Sequence, residues 1–352
     1  MKYFFFVLSA ISIGGALLPL VPSRHYFFQG WEFPVVQLFI LGLVGLLGSL
    51  WFANFDSIGW WTFLGASLLC LVYFAWIIFP YMAIAPKRVK TAENPNPERS
   101  IKVLSSNVLI DNRETAPLKA QIEQYQPDII ALLEPDNYWA GQMEYLKEEY
   151  PYFVEEPLDN AYGLLFYSKL KTEGTELRYL VEEGVPSVVT TVFLPDGTPV
   201  RVYVVHPKPP SPTENKTSTE RDAELMLYAK EIVEEKLPAI IFGDLNDVAW
   251  SNTTRRFQRM SKLLDPRLGR RPFHTFHADY WAFRWPLDHV FHSDDFKYVR
   301  MERLPTIQSD HFPIFIELEY SPDADQKQSR PSKNPGDEEA AEAVIEDAQE
   351  KD

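Results

Sequence analysis

The sequence predicts a layered α/β or α+β domain behind an all-helical membrane segment, and three observations predict it. Residues 1–85 contain three long apolar runs; residues 101–320 alternate short β-branched runs with amphipathic helical stretches; residues 321–352 are polar and highly charged. The mean hydropathy of −0.20 averages over this division. At 352 residues, with such contrasts along the chain, one soluble domain is excluded. Residues 1–90 hold five Lys/Arg against two Asp/Glu, and residues 321–352 hold four against ten, so most of the net charge of −15 falls on the middle. Such a chain, with a pI near 5.0, is no bulk-charge binder of nucleic acid. The single cysteine, Cys70, excludes an intrachain disulfide and a Cys-rich zinc site.

The apolar runs cover residues 3–21, 33–52 and 60–84, with no charged side chain inside any of them. Each approaches or exceeds the ~20 residues that cross ~30 Å of hydrocarbon as a helix. Trp31, Trp51, Trp60, Trp61 and Tyr81 sit near their ends, where amphipathic rings settle at headgroup level. A cleaved signal peptide is the alternative for the first run. Short linkers at 22–32 and 53–59 predict one compact three-helix anchor over 1–85, multi-pass in the cell membrane. With no ionisable residue in a span, an ion pathway is not expected. Lys2 favours a cytoplasmic start, while Lys87, Arg88 and Lys90 favour a cytoplasmic end, so charge leaves the face of the following domain undecided.

A polar, Pro-bearing linker over 86–100 leads into the domain predicted at 101–320. Strands are predicted at 101–104, 129–133, 163–167, 188–194, 200–205, 239–242, 287–291 and 313–318. Pro195-Asp196-Gly197 supplies a hairpin turn between two of them. Leu118, Ile122 and Tyr125 share a helical face, and Leu225, Met226, Ala229, Ile232, Val233 and Leu237 form a longer stripe. Thr217 and Glu220 have capping-box spacing ahead of it. The tail, 321–352, has the composition of an acidic disordered segment, with transient helix over 338–350.

Polar residues interrupt the strands at their ends. Asn107 follows the first, Glu134 closes the second, His206 ends Val-Tyr-Val-Val, and Asp244 and Asn246 follow Ile-Ile-Phe-Gly. Asp288 and His289 fall inside Pro-Leu-Asp-His-Val-Phe, and Asp310-His311 precede the last strand. Singly, each has a structural reading, as a turn residue, a cap or a hydrogen-bonded core histidine. Together they place carboxylates, amides and imidazoles along a sheet rim.

These segments resemble the endonuclease/exonuclease/phosphatase superfamily. Val103-Leu104-Ser105-Ser106-Asn107 resembles its first strand, Pro127 to Glu134 its helix-to-strand segment with the metal-binding Glu, and Gly243-Asp244-Leu245-Asn246-Asp247 its core motif. Ser309-Asp310-His311-Phe312-Pro313-Ile314 resembles the terminal motif, and Pro286-Leu287-Asp288-His289-Val290 supplies the Asp that orients the terminal His. The whole chain is similar to membrane-anchored bacterial members. The resemblance implies an α+β, four-layer αββα sandwich of the deoxyribonuclease type with its site at one rim. Leu109 stands where many nuclease members carry an acid, and Pro207-Lys208-Pro209-Pro210 replaces the usual sequence after His206.

Phosphate-ester hydrolysis needs a neutralised phosphoryl group, an activated water and a protonated leaving group. Glu134 and Asp310 are hard oxygen donors for Mg²⁺ or Mn²⁺, with Asn107 completing the metal shell or holding a phosphate oxygen as a neutral donor. His311 is the expected general base, oriented by Asp288; Asp244 orients water or a second metal, Asn246 donates to a non-bridging oxygen, and His206, charged, stabilises the developing anion or protonates the leaving oxygen. Asp247 and His289 read as structural, His274 and His277 as loop residues. The expected partners are the bilayer and a phosphate ester: a lipid headgroup, a nucleotide or nucleic acid. An endonuclease, or a non-catalytic binding module on the same fold, is the alternative. The aromatic stretch 273–285 either fills core or meets a base, a lipid or the bilayer.

Overall fold

The computed structural model describes residues 1–324 and 328–350. Its first helices, α1 (Lys2–Leu17), α3 (Val35–Leu50) and α4 (Ile58–Ile78), form an up–down–up bundle, with the short α2 (Tyr26–Gln29) in the first linker. Small residues allow close backbones: a Cβ on Gly45 would come within 2.7 Å of the Ser9 amide nitrogen. Gly48 faces Phe5 while Gly42 faces Ser12, so α3 runs against α1; Phe6 meets Trp60 and Phe63, so α4 runs with α1. Among the described residues, Tyr3–Leu20 and Ile58–Tyr81 are long and apolar enough to cross a membrane. The middle run is a third span only if Tyr26–Glu32 and Val35–Leu50, bent by 71°, count as one. Pro34 at the N-cap of α3 stops that helix from extending backwards, and its 16 residues reach only about 24 Å.

The domain is a four-layer sandwich. One sheet runs β10-β11-β1-β2-β4-β3 and the other β5-β6-β7-β8-β9. In the first, β1 (Ser100–Asn107) lies parallel to β2 (Ile129–Leu133) and antiparallel to β11 (Ile314–Tyr320). In the second, β7 (Pro199–Val204) lies parallel to β8 (Ala239–Asp244), which pairs antiparallel with β9 (Asp288–His292). The apolar side chains between the sheets, among them Ile101, Ile129, Val202, Phe242 and Ile316, form the central core. The outer face of the first sheet is covered by α5 (Ala116–Tyr125) and α6 (Asn137–Met143), that of the second by α7 (Thr219–Glu235) and α8 (Asn252–Ser261).

All eight expected strands form, including β4 (Leu164–Ser168) and β6 (Ser187–Phe193). Three more, β3 (Tyr152–Glu156), β5 (Thr172–Arg178) and β10 (Phe296–Arg303), lie at sheet edges, where exposure lets polar residues fill strand positions. The α7 helix starts at Thr219 with Ser218 as its N-cap, one residue past the expected box. The linker is not free either: Ala92 N donates to Tyr298 O at 2.8 Å and Tyr298 N to Lys90 O at 2.8 Å.

The tail departs from the disorder its composition suggested, although residues 325–327 and 351–352 of it lie outside the described residues. Helix α9 (Asp337–Gln349) docks on α7 through Ala341, Val344, Ile345 and Ala348, an i, i+3, i+4, i+7 stripe set among acids. Arg259 holds Asp337 with two hydrogen bonds of 2.7 and 2.8 Å. Besides its own cores, the domain shares one with the helical segment. Val35, Leu38, Phe74, Ile77 and Tyr81 of the helical segment bury together with Val248, Ala249, Trp250 and Leu287 of the domain.

Candidate functional site

Topology brings the strand-end residues to one rim. The parallel pairs β1/β2 and β7/β8 put Asn107, Glu134, His206 and Asp244 at neighbouring carboxyl ends. Asp288, the first residue of antiparallel β9, registers against Asp244, and His311 arrives just ahead of β11. Gly243 makes the approach possible: at φ 140°, any Cβ there would sit 2.0 Å from Val205 O. Glu134 and Asn246 also take left-handed backbone, φ 62° and 51°, a conformation that aims side chains where ordinary strand geometry would not.

Asn107 is the hub. Its Nδ2 donates to Glu134 Oε1 at 2.6 Å and to Asp244 Oδ2 at 3.3 Å, and its Oδ1 accepts from Leu109 N at 3.0 Å. His311 Nδ1 lies 2.8 Å from Asp288 Oδ2, which fixes the ring, and its Nε2 lies 3.4 Å from Asp244 Oδ2. His206 Nε2 stands 3.8 Å from Asp244 Oδ2 and 3.9 Å from Glu134 Oε1. Asn246 donates from Nδ2 to Pro207 O at 3.0 Å, which ties the loops after β7 and β8 together and engages the amide expected to meet substrate. Asp310 is half-buried beside His311, and its carbonyl accepts from Ala278 N at 2.6 Å.

The two imidazoles sit in opposite electrostatic environments. Burial opposes charge on His311, but the carboxylates of Asp288 and Asp244 outweigh it and raise its pKa to about 10. The Asp288 and Asp244 carboxylates thus favour the imidazolium form of His311. Burial pushes His206 down to about 4, so it is neutral rather than cationic. Burial also lifts Glu134 to about 7, with Asp244 and Asp310 adding to the rise.

The donor set suits a hard divalent cation. None of Glu134, Asp244 and Asp310 forms a salt bridge to Lys or Arg among the described residues, so no ammonium or guanidinium neutralises these carboxylates. The ligand atoms of Asp244, Asp288 and His311 lie within 4.8 Å of one another. Because His311 is already bonded to Asp288, that trio is first of all an orienting dyad with a carboxylate beside it.

Sequence reasoning missed the supports. Ser309 Oγ donates to Asn107 O at 2.8 Å and accepts from His311 N at 3.0 Å. Phe276 packs on His311, with centroids 4.9 Å apart, and Tyr162 on His206 at 5.4 Å. Arg221, fully buried on α7, donates to Asn246 O at 2.8 Å and pairs with Asp222. A lone Arg on the apolar stripe of α7 was the available signal. Asp247 and His289 are bonded into the interior, His289 Nε2 lying 2.8 Å from Asp247 O.

A profile of the endonuclease/exonuclease/phosphatase family matches residues 104–311. No curated protein matches the sequence. Among solved structures, a humanized D. rerio TDP2 carrying 14 mutations aligns with TM-score 0.53 at 16% identity, covering 63% of this chain and 99% of that one. The human Nocturnin catalytic domain with bound sulfate gives 0.53 at 18%, covering 65% and 97%. An endonuclease/exonuclease/phosphatase from Beutenbergia cavernae gives 0.52 at 17%, covering 63% and 72%.

Proposed function

The chain belongs to the endonuclease/exonuclease/phosphatase family, and from that membership we propose that it is a membrane-anchored, divalent-metal-dependent hydrolase of phosphate esters. The observation that carries the reading is the convergence of Asn107, Glu134, His206, Asp244, Asp288 and His311 on one rim, with the Asp288–His311 pair at 2.8 Å. A silent binding module has no need of that full set. Glu134 and Asp310, with Asn107, would hold Mg²⁺ or Mn²⁺, which would supply charge neutralisation at the phosphoryl oxygens. Protonated His311 binds the phosphoryl group and gives its proton to the leaving oxygen. Asp244 orients the attacking water and takes its proton, and the 3.4 Å gap to His311 Nε2 lets that proton return. Neutral His206 borders the same space and accepts or donates a hydrogen bond without adding charge.

The surroundings favour a lipid headgroup over nucleic acid as substrate. Beside the site the chain from Phe276 to Trp285 folds back on itself, and Tyr280, Trp281 and Phe283 at its tip are exposed. Gln37 Nε2, in the first turn of α3, donates to Ala282 O at 2.8 Å, which sets the tip at the level where that apolar helix begins. Arg284 and Arg303 lie over the Phe312 ring, and neither forms a salt bridge among the described residues. Guanidiniums beside exposed rings also suit a nucleic acid, the runner-up, but the acidic chain opposes it. Three spans would set the domain on the face opposite the amino end of α1, and two would set it on the same face.

The test is hydrolysis by the purified full chain with Mg²⁺ of a generic phosphodiester, a phosphomonoester, sphingomyelin and DNA. Chelator-sensitive hydrolysis of an ester supports the reading, preference among the four assigns the class, and inertness towards all of them removes it.

A further inference from the structure

Away from the catalytic rim, a cavity of about 590 Å³ opens where the last turn of α4 meets the domain. One wall is apolar and belongs to the helix and the residues after it: Trp76, Ile77, Phe79 and Tyr81. The other carries Lys87, Arg88 and Arg255, and none of these forms a salt bridge among the described residues, in a chain of net charge −15. Their placement is built. Gly269 N donates to Pro80 O at 2.7 Å, and Gly269, at φ 74°, lies so close to Lys87 that a Cβ there would come within 2.6 Å of the Lys87 backbone. Arg270 Nη2 donates to Val89 O at 3.0 Å, which pins the far side of the same segment. Arg255 stacks over the Trp76 ring at 5.6 Å and donates to Asn252 Oδ1 at 3.2 Å. Arg259, also in the wall, is committed to Asp337, so the tail closes the cavity and spares only the other three cations.

We propose that this cavity binds the phosphate headgroup of an anionic phospholipid, with the acyl chains lying along the exposed Trp76 of α4 and Phe79 just after it. Two features select that ligand over a soluble phosphate. The volume lies within the ~300–1,000 Å³ of small-molecule sites, far more than inorganic phosphate fills. The apolar wall continues without a break into the face of a helix long enough to span a membrane. Basic pockets beside spanning helices are where anionic headgroups gain both charge and apolar contact. The site is separate from the catalytic residues, so the inference does not depend on the phosphoesterase reading.

The test is native mass spectrometry of the delipidated full-length protein in detergent, titrated with phosphatidylglycerol, phosphatidylcholine and glycerol phosphate. The wild type should bind phosphatidylglycerol at least ~10-fold more tightly than phosphatidylcholine and retain no glycerol phosphate. In the variant Lys87→Gln/Arg88→Gln/Arg255→Gln that preference should vanish while the thermal midpoint stays near wild type. Should the triple variant unfold, Arg88→Gln alone, at an exposed position, should still weaken phosphatidylglycerol binding several-fold. Equal binding of the two lipids by the wild type, or a preference unaffected by the folded variants, overturns the proposal. Tight binding of glycerol phosphate overturns the lipid assignment.

Discussion

Replacing Trp250 by Ala should release the catalytic loop without unfolding the sandwich. Trp250 is 3% exposed, four residues beyond Asn246. Its ring meets Tyr81 edge-on at 5.7 Å, and its Nε1 donates to Glu32 O at 2.8 Å, both partners lying in the helical segment. Trp→Ala in a packed site costs about 3–5 kcal/mol, and the orphaned Glu32 carbonyl adds about 1–3. The loss falls on the junction cluster, because Trp250 belongs to neither core that flanks the second sheet. At ~1.4 kcal/mol per factor of ten, even 3 kcal/mol raises the open population of the loop over 245–252 by roughly 100-fold. Hydrogen exchange of the full chain in lipid nanodiscs should show that acceleration there, with β1 and β7 unchanged and turnover reduced. Trp139→Ala, equally buried beneath the first sheet, is the control: a similar loss of stability, with no selective effect on 245–252. If Trp250→Ala exchanges and turns over like wild type, the helices do not hold the loop and the shared core is only a contact.

Chelation should abolish hydrolysis and Mg²⁺ or Mn²⁺ restore it; full turnover after exhaustive chelation would sink the metal assignment. His311→Ala and Asp244→Asn should each lower turnover by at least ~10²-fold with folding intact by circular dichroism, since acid–base groups contribute ~10²–10⁴; near-normal rates in both would mean the chemistry lies elsewhere. Acid should destabilise the fold before it protonates the core. Burial holds His292 neutral down to about 4 against an ordinary 6.5, so the unfolded chain takes the proton first. Stability present above 6.5 is lost as pH falls towards 4, by up to about 3 kcal/mol at ~1.36 per unit, and denaturant midpoints measured across that range should fall, less steeply in His292→Gln. The full-length chain should resist carbonate and high-salt extraction; release by salt alone would mean that the apolar helices are core, not spans.

What the sequence disclosed follows from where each residue sits. Strands flanked by neighbours on both sides are buried almost throughout, so β1, β2, β7 and β8 contain apolar runs that were legible, and the polar residues that end them stood out. The edge strands β3, β5 and β10 carry exposed charges on one face and left no such run. The charge states of His206 and His311 were out of reach because they depend on which carboxylate lies within a few ångströms, and Asp288 is 23 residues from its partner. The shared core was hidden for a related reason. Trp250 looks like an ordinary loop residue, and Leu287 like the start of a strand, until Tyr81 and Ile77 are seen against them. In the tail, acids outnumber the four apolar contacts of α9 and mask their spacing.

The position of β11 bears on how the protein is made. It lies between β10 and β1, so the first strand of the domain waits for the last before one of its edges is paired. Asn107 and His311 are likewise separated by nearly the whole domain. At ~5–20 residues per second, roughly 200 residues of synthesis leave β1 with an open, apolar edge for about 10–40 s. Such an edge is a template for pairing with other chains. A nascent chain whose first helices have already entered a bilayer is confined to a surface and spaced from its neighbours during that interval. Tethering would then act as a folding aid before it serves any catalytic purpose, and an interrupted chain would have neither a closed sheet nor an active site.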